Sequence, residues 1–158
     1  MSLHKRAGVF AAVLGLVLAL AACAHNPSPD AGAAAVPGSL QDFAVNVGDR
    51  VFFDTDSTEL SPTSQATLDK QAAWLTQYSQ YNFTVEGHAD ERGTREYNFA
   101  LGARRAETVK DYLVARGINA ARIHTISYGK ERPVATCNDD SCWSQNRRAV
   151  TVLGGSQS

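Results

Sequence analysis

The chain has 158 residues, which is enough for one domain with its own hydrophobic core, and a formal net charge of −1. No excess or run of basic residues is present to neutralise phosphates, so the composition argues against a nucleic-acid partner. After the first 20 residues, no apolar stretch is long enough to span a bilayer.

The amino-terminal 22 residues have the pattern of a secretory signal peptide. Basic residues at 4–6 precede an uncharged run over 7–20, which fits the apolar part of a signal and is short for a membrane span. The sequence Leu-Ala-Ala-Cys that ends at Cys23 resembles the lipobox of bacterial lipoproteins. This resemblance implies cleavage before Cys23, acylation of that cysteine and sorting to the outer membrane. The alternative is an ordinary secretory signal followed by a coincidental cysteine.

A linker follows the predicted signal. Residues 24–40 are rich in Ala, Pro, Gly and Ser and have no amphipathic period, as is typical of a flexible tether. We therefore expect three parts: a signal peptide at 1–22, a lipidated cysteine with its tether at 23–40, and a folded domain at 41–158.

The folded part has the predicted order β-α-β-α-β-β. Alternating or β-rich segments predict strands at 49–53, 82–88, 122–128 and 147–153, and helical spacing predicts helices at 61–78 and 94–116. Ser61 and Pro62 are typical of a helix start, as is Thr94, and Gly117 is typical of a helix end. Two helical crossovers require a partly parallel sheet that is covered by helices on at least one face.

Two cysteines remain if Cys23 carries lipid. Cys137 and Cys142 have four residues between them, and in an exported chain this spacing favours a local disulfide. The alternative is a half-built metal site with help from Asp139, Asp140 or His124, although the spacing matches no zinc motif.

The segment 84–106, TVEGHADERGTREYNFALGARRA, resembles the signature of OmpA-like peptidoglycan-binding domains. Shorter matches occur at FDTDS (53–57), ISYG (126–129) and NRRAV (146–150), so the resemblance covers about residues 45–153. It implies an α+β (α/β) two-layer sandwich with a mixed four-stranded sheet and two main helices. It also implies a binding protein without cofactor or catalytic activity.

The resemblance also implies a role at the cell envelope. Members of the family bind peptidoglycan non-covalently through the meso-diaminopimelate of its stem peptides. The function implied here is to link the outer membrane to the cell wall within the Tol system, in support of envelope integrity and cell division. A periplasmic propeller protein of that system is the implied partner and competes with the wall. The alternatives are a wall anchor of another machine, such as a motor or secretion assembly, and a peptidoglycan hydrolase.

Two charged residues match the family positions that contact the ligand. Diaminopimelate carries ammonium and carboxylate groups, so its receptor needs a carboxylate and a cationic fork at a fixed separation. Asp90 follows the second strand, and Arg105 lies on the next helix in a row with Asn98 and Leu101, spaced so that the three project from one side. The resemblance implies that Asp90 binds an ammonium and that Arg105 binds a carboxylate.

Other residues complete the expected site, and each has a structural alternative. Phe53 and Asp54 are expected to line a neighbouring wall, and Arg147 to contribute a ligand contact. Alternatively, Asp90 and Arg105 pair with each other, and Phe53 and Leu101 belong to the core. In the same way, Asn98 caps local backbone and Arg147 braces the end of the sheet. The structural alternative for Arg92 and Arg104 is that both are surface residues. Because the site is expected at the edge of the sheet, we expect substitution of Asp90 or Arg105 to leave the fold intact.

The sequence His88-Ala89-Asp90-Glu91 invites a metal or hydrolase interpretation. A single His–Asp pair lacks the third ligand or the nucleophile that such chemistry needs, and no hydrolase motif occurs in the sequence. A structural role for His88 is the better interpretation.

Overall fold

The computed structural model describes residues 34–154, so the predicted signal peptide, Cys23 and most of the tether lie outside the described residues. In chain order the elements are α1 (Leu40–Asp42), which continues into a π-helical turn (Phe43–Gly48), β1 (Arg50–Phe52), α2 (Pro62–Gln77), β2 (Phe83–His88), α3 (Arg95–Ala115), a 3₁₀ turn (Ala120–Arg122), β3 (Ile123–Gly129), α4 (Asp140–Asn146) and β4 (Arg148–Leu153). The predicted β-α-β-α-β-β order is confirmed. Two short helical segments, α1 and α4, were not predicted.

The four strands form one mixed sheet in the order β1-β4-β2-β3. β2 and β3 are parallel, whereas β4 lies antiparallel to both β1 and β2. β1 and β2 therefore run in the same direction, with α2 as the crossover between them and α3 as the crossover from β2 to β3. The prediction of a partly parallel sheet is confirmed.

Local sequence fixes the ends of the two long helices. The Ser61 hydroxyl accepts a hydrogen bond from the Ser64 amide at 3.1 Å, and the Thr94 hydroxyl accepts one from the Tyr97 amide at 3.2 Å. Gly117 has φ +92 just after α3, a conformation that favours glycine. All three predicted helix boundaries are confirmed.

Both long helices pack on one face of the sheet. Leu68 and Leu75 of α2, Leu113 of α3 and Phe83 and Val85 of β2 are each at most 1% exposed. On the opposite face, Phe52, Ile126 and Val152 remain more than 40% exposed. The domain is therefore a two-layer sandwich, as the family resemblance implies. Within residues 34–154, no helix combines the length and the apolar character that a bilayer span requires.

Two glycines bring α3 close to the sheet. A Cβ atom on Gly87 would overlap the carbonyl oxygen of Gly102, and one on Gly102 would overlap the Ser127 hydroxyl. Only glycine fits at this crossing of α3 and β2, since any side chain would push the helix away. The close approach places the next turn of α3, with Arg105, beside the carboxyl end of β2.

The end of the predicted tether makes contacts with the domain. The Gly38 carbonyl accepts a hydrogen bond from the Tyr81 hydroxyl at 2.8 Å. Phe43 packs on Trp74, and Trp74 donates its indole N–H to Asp42 at 2.8 Å. Contacts of the folded domain thus extend back to Gly38, a few residues before the expected start at residue 41.

Candidate functional site

Arg105 lies beneath the carboxyl ends of β1 and β2 and is completely buried. Its Nε donates to the carbonyl of Ser57 at 2.9 Å, Nη1 to that of His88 at 2.9 Å and Nη2 to that of Asp54 at 3.0 Å. The Phe53 ring lies 5.1 Å from the guanidinium carbon. Arg105 therefore ties the β1–α2 loop to the end of β2.

Burial lowers the pKa of the Arg105 guanidinium to about 10, and the nearby Asp90 carboxylate opposes that shift. The group therefore stays cationic at neutral pH. The expectation that Arg105 can be replaced without harm to the fold rests on a premise that the structure contradicts. The side chain is not at an open edge, and its loss would leave three backbone carbonyls without their donor.

Asp90 lies above Arg105 in the loop after β2 and is 7% exposed. Arg92 donates to both of its carboxylate oxygens, from Nε to Oδ1 at 3.1 Å and from Nη2 to Oδ2 at 2.7 Å. Arg147 approaches the same carboxylate, with Nη1 3.5 Å from Oδ2. Burial raises the pKa of Asp90, but hydrogen bonds from Arg92 and Arg147 outweigh it, so the pKa is lowered overall and the group is ionised. Within residues 34–154 the partners of Asp90 are thus Arg92 and Arg147, and the alternative of a direct Asp90–Arg105 pair is wrong.

Asn98 and Leu101 complete the row on α3. Asn98 is 2% exposed and donates from Nδ2 to the carbonyls of Arg92 at 2.7 Å and Thr94 at 3.1 Å. It therefore fixes the loop between β2 and α3, which is the capping role considered for it. Leu101 is 5% exposed and packs below the same loop.

These residues surround a pocket of about 290 Å³. Four of the predicted site residues share it, and its complete lining is Thr55, Asp56, Asp90, Arg92, Gly93, Tyr97, Asn98, Leu101 and Arg105. The helical spacing of Asn98, Leu101 and Arg105 does place all three on one side of α3. The pocket holds a carboxylate and a guanidinium from different elements, and both are largely buried.

The other three predicted residues line a neighbouring pocket. Phe53, Asp54 and Arg147 border a second hollow of about 360 Å³. Arg147 is 6% exposed and donates from Nε to the Phe53 carbonyl at 3.0 Å and from Nη1 to Asp140 at 3.1 Å. It braces the end of the sheet, as one of the two interpretations proposed. Phe53 is a core residue at 4% exposure. The Asp54 carbonyl accepts a hydrogen bond from Arg105, which lines the first pocket.

A larger pocket of about 580 Å³ lies along the opposite side of α3. Phe99 and Tyr128 line it, and two of its three charged residues, Arg95 and Glu131, pair with each other at 3.1 Å. We place the candidate site in the pocket of about 290 Å³, because that pocket brings together the buried and oppositely charged Asp90 and Arg105.

Sequence reasoning missed several residues of the site. Thr55 and Asp56 line the pocket, and Asp56 has φ 55, an unusual backbone conformation that Asp tolerates. The turn cluster after β1 was a usable signal for both. Trp143 of α4 lies against Arg92, with the guanidinium carbon 4.1 Å from the ring centroid. No local pattern connects Trp143 with Arg92.

The predicted disulfide is present. Cys137 and Cys142 are bonded, with their Cα atoms 5.6 Å apart. The metal alternative for these cysteines is therefore wrong, and residues 34–154 contain no group of three His, Cys, Asp or Glu side chains placed to hold a metal ion. The bonded loop leads directly into α4, whose N-cap is Asp139.

His88 is buried at the end of β2, with 2% exposure. Burial, together with the nearby cations Arg148 and Arg132, lowers the pKa of the imidazole to about 4, so the ring is neutral at pH 7. Its nearest carboxylate, Glu86, lies 3.6 Å away, beyond hydrogen-bond distance. The backbone carbonyl of His88 accepts from Arg105, so the structural interpretation of this histidine fits its position.

Comparison with known proteins identifies the family of the chain. Residues 52–148 match the model of the OmpA family. The peptidoglycan-associated lipoprotein of Rhizobium meliloti (strain 1021) is 64% identical over 153 residues, covering 92% of this chain and 87% of that protein. The protein of the same name from Pseudomonas aeruginosa is 48% identical over 124 residues, with 78% and 73% covered.

Solved structures give the same result. The crystal structure of the peptidoglycan-associated lipoprotein from Burkholderia pseudomallei superposes with a TM-score of 0.65 at 42% identity, covering 67% of this chain and 90% of that one. The C-terminal domain of Helicobacter pylori MotB, at 20% identity and a TM-score of 0.64, covers 69% and 86% and shares the fold. The chain therefore belongs to the OmpA family and, within it, to the peptidoglycan-associated lipoproteins.

Proposed function

We propose that the protein is an outer-membrane lipoprotein that binds peptidoglycan non-covalently through meso-diaminopimelate. The observation that carries this proposal is the pocket between α3 and the β2–α3 loop, where Asp90 and Arg105 present opposite charges. The names of the relatives, which describe association with peptidoglycan, support the same ligand class.

The chemistry of the pocket fits a ligand with both an ammonium and a carboxylate. Asp90 is ionised and accepts a charged hydrogen bond from the ammonium. Arg105 has five N–H groups. Three of them donate to backbone carbonyls, so two remain for a ligand carboxylate. Because Arg105 is already fixed, binding costs little side-chain entropy at this position.

The surrounding predicted residues have supporting roles in this proposal. Asn98 holds the loop that carries Asp90, and Leu101 provides an apolar wall for the methylene groups of the ligand. Phe53, Asp54 and Arg147 border the adjacent hollow, into which the remainder of the stem peptide extends.

The test is co-sedimentation with purified sacculi from a wall that contains diaminopimelate. Asp90→Asn keeps the shape of the side chain and removes its charge, and Arg105→Lys keeps a charge but loses the planar fork. Asp90→Asn should weaken binding by about 2–4 kcal/mol, because the ligand ammonium is left unpaired. Arg105→Lys should also weaken binding, because a single ammonium cannot reproduce the two-point contact of the guanidinium. Arg104→Ala, an exposed neighbour on α3, is the matched control. Folded Asp90→Asn protein that pellets as wild type does would refute the site.

Membrane attachment is the second part of the proposal. Cleavage after residue 22 leaves an acylated Cys23, and residues 23–40 connect the lipid to the domain. Acyl chains supply membrane affinity that a soluble domain lacks. Cys23→Ala should therefore abolish incorporation of labelled palmitate and release a precursor or a soluble periplasmic form. Unchanged incorporation would contradict the assignment of Cys23.

The proposed cellular role is to link the outer membrane to the wall within the Tol–Pal system, in support of envelope integrity and cell division. Its partner in this proposal is the periplasmic propeller protein of that system, which competes with the wall for the domain. A pulldown with that propeller protein tests the assignment. Failure to capture it, together with intact wall binding, would favour a wall anchor of another envelope machine. Clearing of peptidoglycan in a zymogram would instead indicate a hydrolase.

A further inference from the structure

The carboxylate of Asp90 already has a cation bound to it. Arg92 grips it as a fork, with nitrogen–oxygen distances of 3.1 and 2.7 Å, and the Arg92 backbone N–H adds a hydrogen bond at 3.1 Å. With Arg147 Nη1 3.5 Å from Oδ2, both oxygens of the Asp90 carboxylate already have partners. A ligand ammonium that binds Asp90 must therefore displace the Arg92 fork.

The two arginines that contact Asp90 are held very differently. Arg147 has only 7% of its side chain exposed and is fixed by the Phe53 carbonyl and Asp140. The side chain of Arg92 is 41% exposed, and its one other hydrogen-bond partner in the described part of the chain is the Thr55 hydroxyl at 3.3 Å. Departure of Arg92 therefore breaks its pair with the Asp90 carboxylate and one exposed contact with Thr55, whereas Arg147 would also lose its buried bond to the Phe53 carbonyl.

After the Arg92 side chain departs, the Asp90 carboxylate keeps one hydrogen bond, from the backbone N–H of residue 92 at 3.1 Å, and the Arg147 guanidinium stays 3.5 Å away. The loop itself stays fixed, because Asn98 holds the Arg92 carbonyl at 2.7 Å. The exchange therefore moves one side chain and needs no rearrangement of the backbone.

A surface that receives the displaced guanidinium is present. The indole of Trp143 lies 4.1 Å from the guanidinium carbon of Arg92, and its own N–H is fixed by Glu91 at 3.1 Å. A guanidinium that releases Asp90 keeps the cation–π contact with this ring. The cost of opening is therefore limited to the contacts of Arg92 with Asp90 and Thr55.

We propose that Arg92 is a displaceable counter-ion, which neutralises Asp90 in the free protein and is exchanged for an ammonium group of the ligand. This inference rests on the proposed binding of diaminopimelate and adds a source of selectivity to it. A simple amine replaces the fork with a single contact and gains nothing else. A ligand that also places a carboxylate on Arg105 gains a second charged contact, which offsets the loss of the two-point Arg92 fork. The exchange therefore favours zwitterions over plain cations.

The test compares Arg92→Gln with wild type in sacculus binding and in calorimetric titration with free meso-diaminopimelate. Removal of an intramolecular competitor of this exposure should raise affinity about fivefold. Arg95→Gln is the matched control, because it removes the same charge from a residue that is paired with Glu131 and lies outside the pocket. Its affinity should change by less than about twofold. Arg92→Lys, which retains a charge without the fork, should fall between wild type and Arg92→Gln.

Several outcomes would overturn the inference. Weaker binding by Arg92→Gln would make Arg92 a direct ligand contact, and unchanged binding would show that no exchange limits affinity. Fluorescence of Trp143 gives a second measurement, since ligand should change its emission in wild type and not in Arg92→Gln. Asp90→Asn separates the two proposals. If Asp90→Asn binds sacculi like wild type, the proposed function fails, whereas loss of binding there with no gain in Arg92→Gln refutes only the counter-ion.

Discussion

Arg105 and Arg92 lie in one pocket beside the same carboxylate, yet different parts of the molecule hold them. We call Arg105, His88 and the backbone carbonyls that accept hydrogen bonds from Arg105 the pocket floor. We call Arg92, Trp143 and the Cys137–Cys142 loop the pocket rim. Arg105 and His88 are buried, and Arg105 is bonded to backbone carbonyls, whereas the rim is exposed at Arg92 and half-buried at Trp143 and the two cysteines. Two arginines of equal charge therefore have different roles, because burial decides which side chain can move.

Loss of the floor arginine should have the largest effect. Arg105→Ala removes the side-chain donor of three backbone carbonyls, of which that of Asp54 keeps the Ser57 N–H at 3.2 Å, and it leaves a cavity between α3 and β2. We therefore expect the free energy of unfolding to fall by about 3–5 kcal/mol. Urea denaturation followed by circular dichroism measures this. Arg104→Ala, one residue away and exposed, should change the free energy of unfolding by less than about 0.5 kcal/mol. Equal stability of the two variants would remove the distinction between floor and rim.

The floor histidine should make stability depend on pH. The pKa of His88 is lowered by burial to about 4, whereas in the unfolded chain it returns to about 6.5. Below that value the unfolded state binds the extra proton, so the stabilisation present above pH 6.5 is lost as pH falls toward 4, by at most about 1.4 kcal/mol per pH unit. Denaturation curves between pH 7 and pH 4 should show this slope.

Two substitutions assign that slope. His88→Gln should flatten it, and His124→Gln, at an exposed position on β3, should leave it in place. A slope that persists in His88→Gln would place the titrating group elsewhere.

Loss of the rim disulfide should have the smallest effect on folding. The paired change Cys137→Ser and Cys142→Ser opens a loop of a few residues, which contributes about 2 kcal/mol in the chain-entropy model. We expect cooperative unfolding to persist, with faster amide hydrogen exchange confined to α4 and the loop before it. Mass spectrometry without reductant should show the intact bond in wild type. Loss of the whole fold in the double variant would show that the rim supports the floor.

Most of the fold could be predicted from local sequence. The hydroxyls of Ser61 and Thr94 and the left-handed Gly117 mark helix boundaries through contacts within a few residues. Strand alternation and two crossovers then require a mixed sheet. The segments that were missed, α1 and α4, are each at most seven residues long, and so short a helix shows no period.

The row of Asn98, Leu101 and Arg105 was also predictable, because helical spacing alone places these residues on one side of α3. Local sequence was therefore enough to predict the family, the order of the strands and long helices, and four of the residues that line the pocket. The depth of Arg105 was not predictable, since it depends on the close contact of Gly87 with Gly102 and on carbonyls from a distant loop. The position of Arg92 depends on Trp143, far along the chain. Only the tertiary structure decided which arginine is fixed and which can move, because burial arises from packing between elements rather than from the pattern within one.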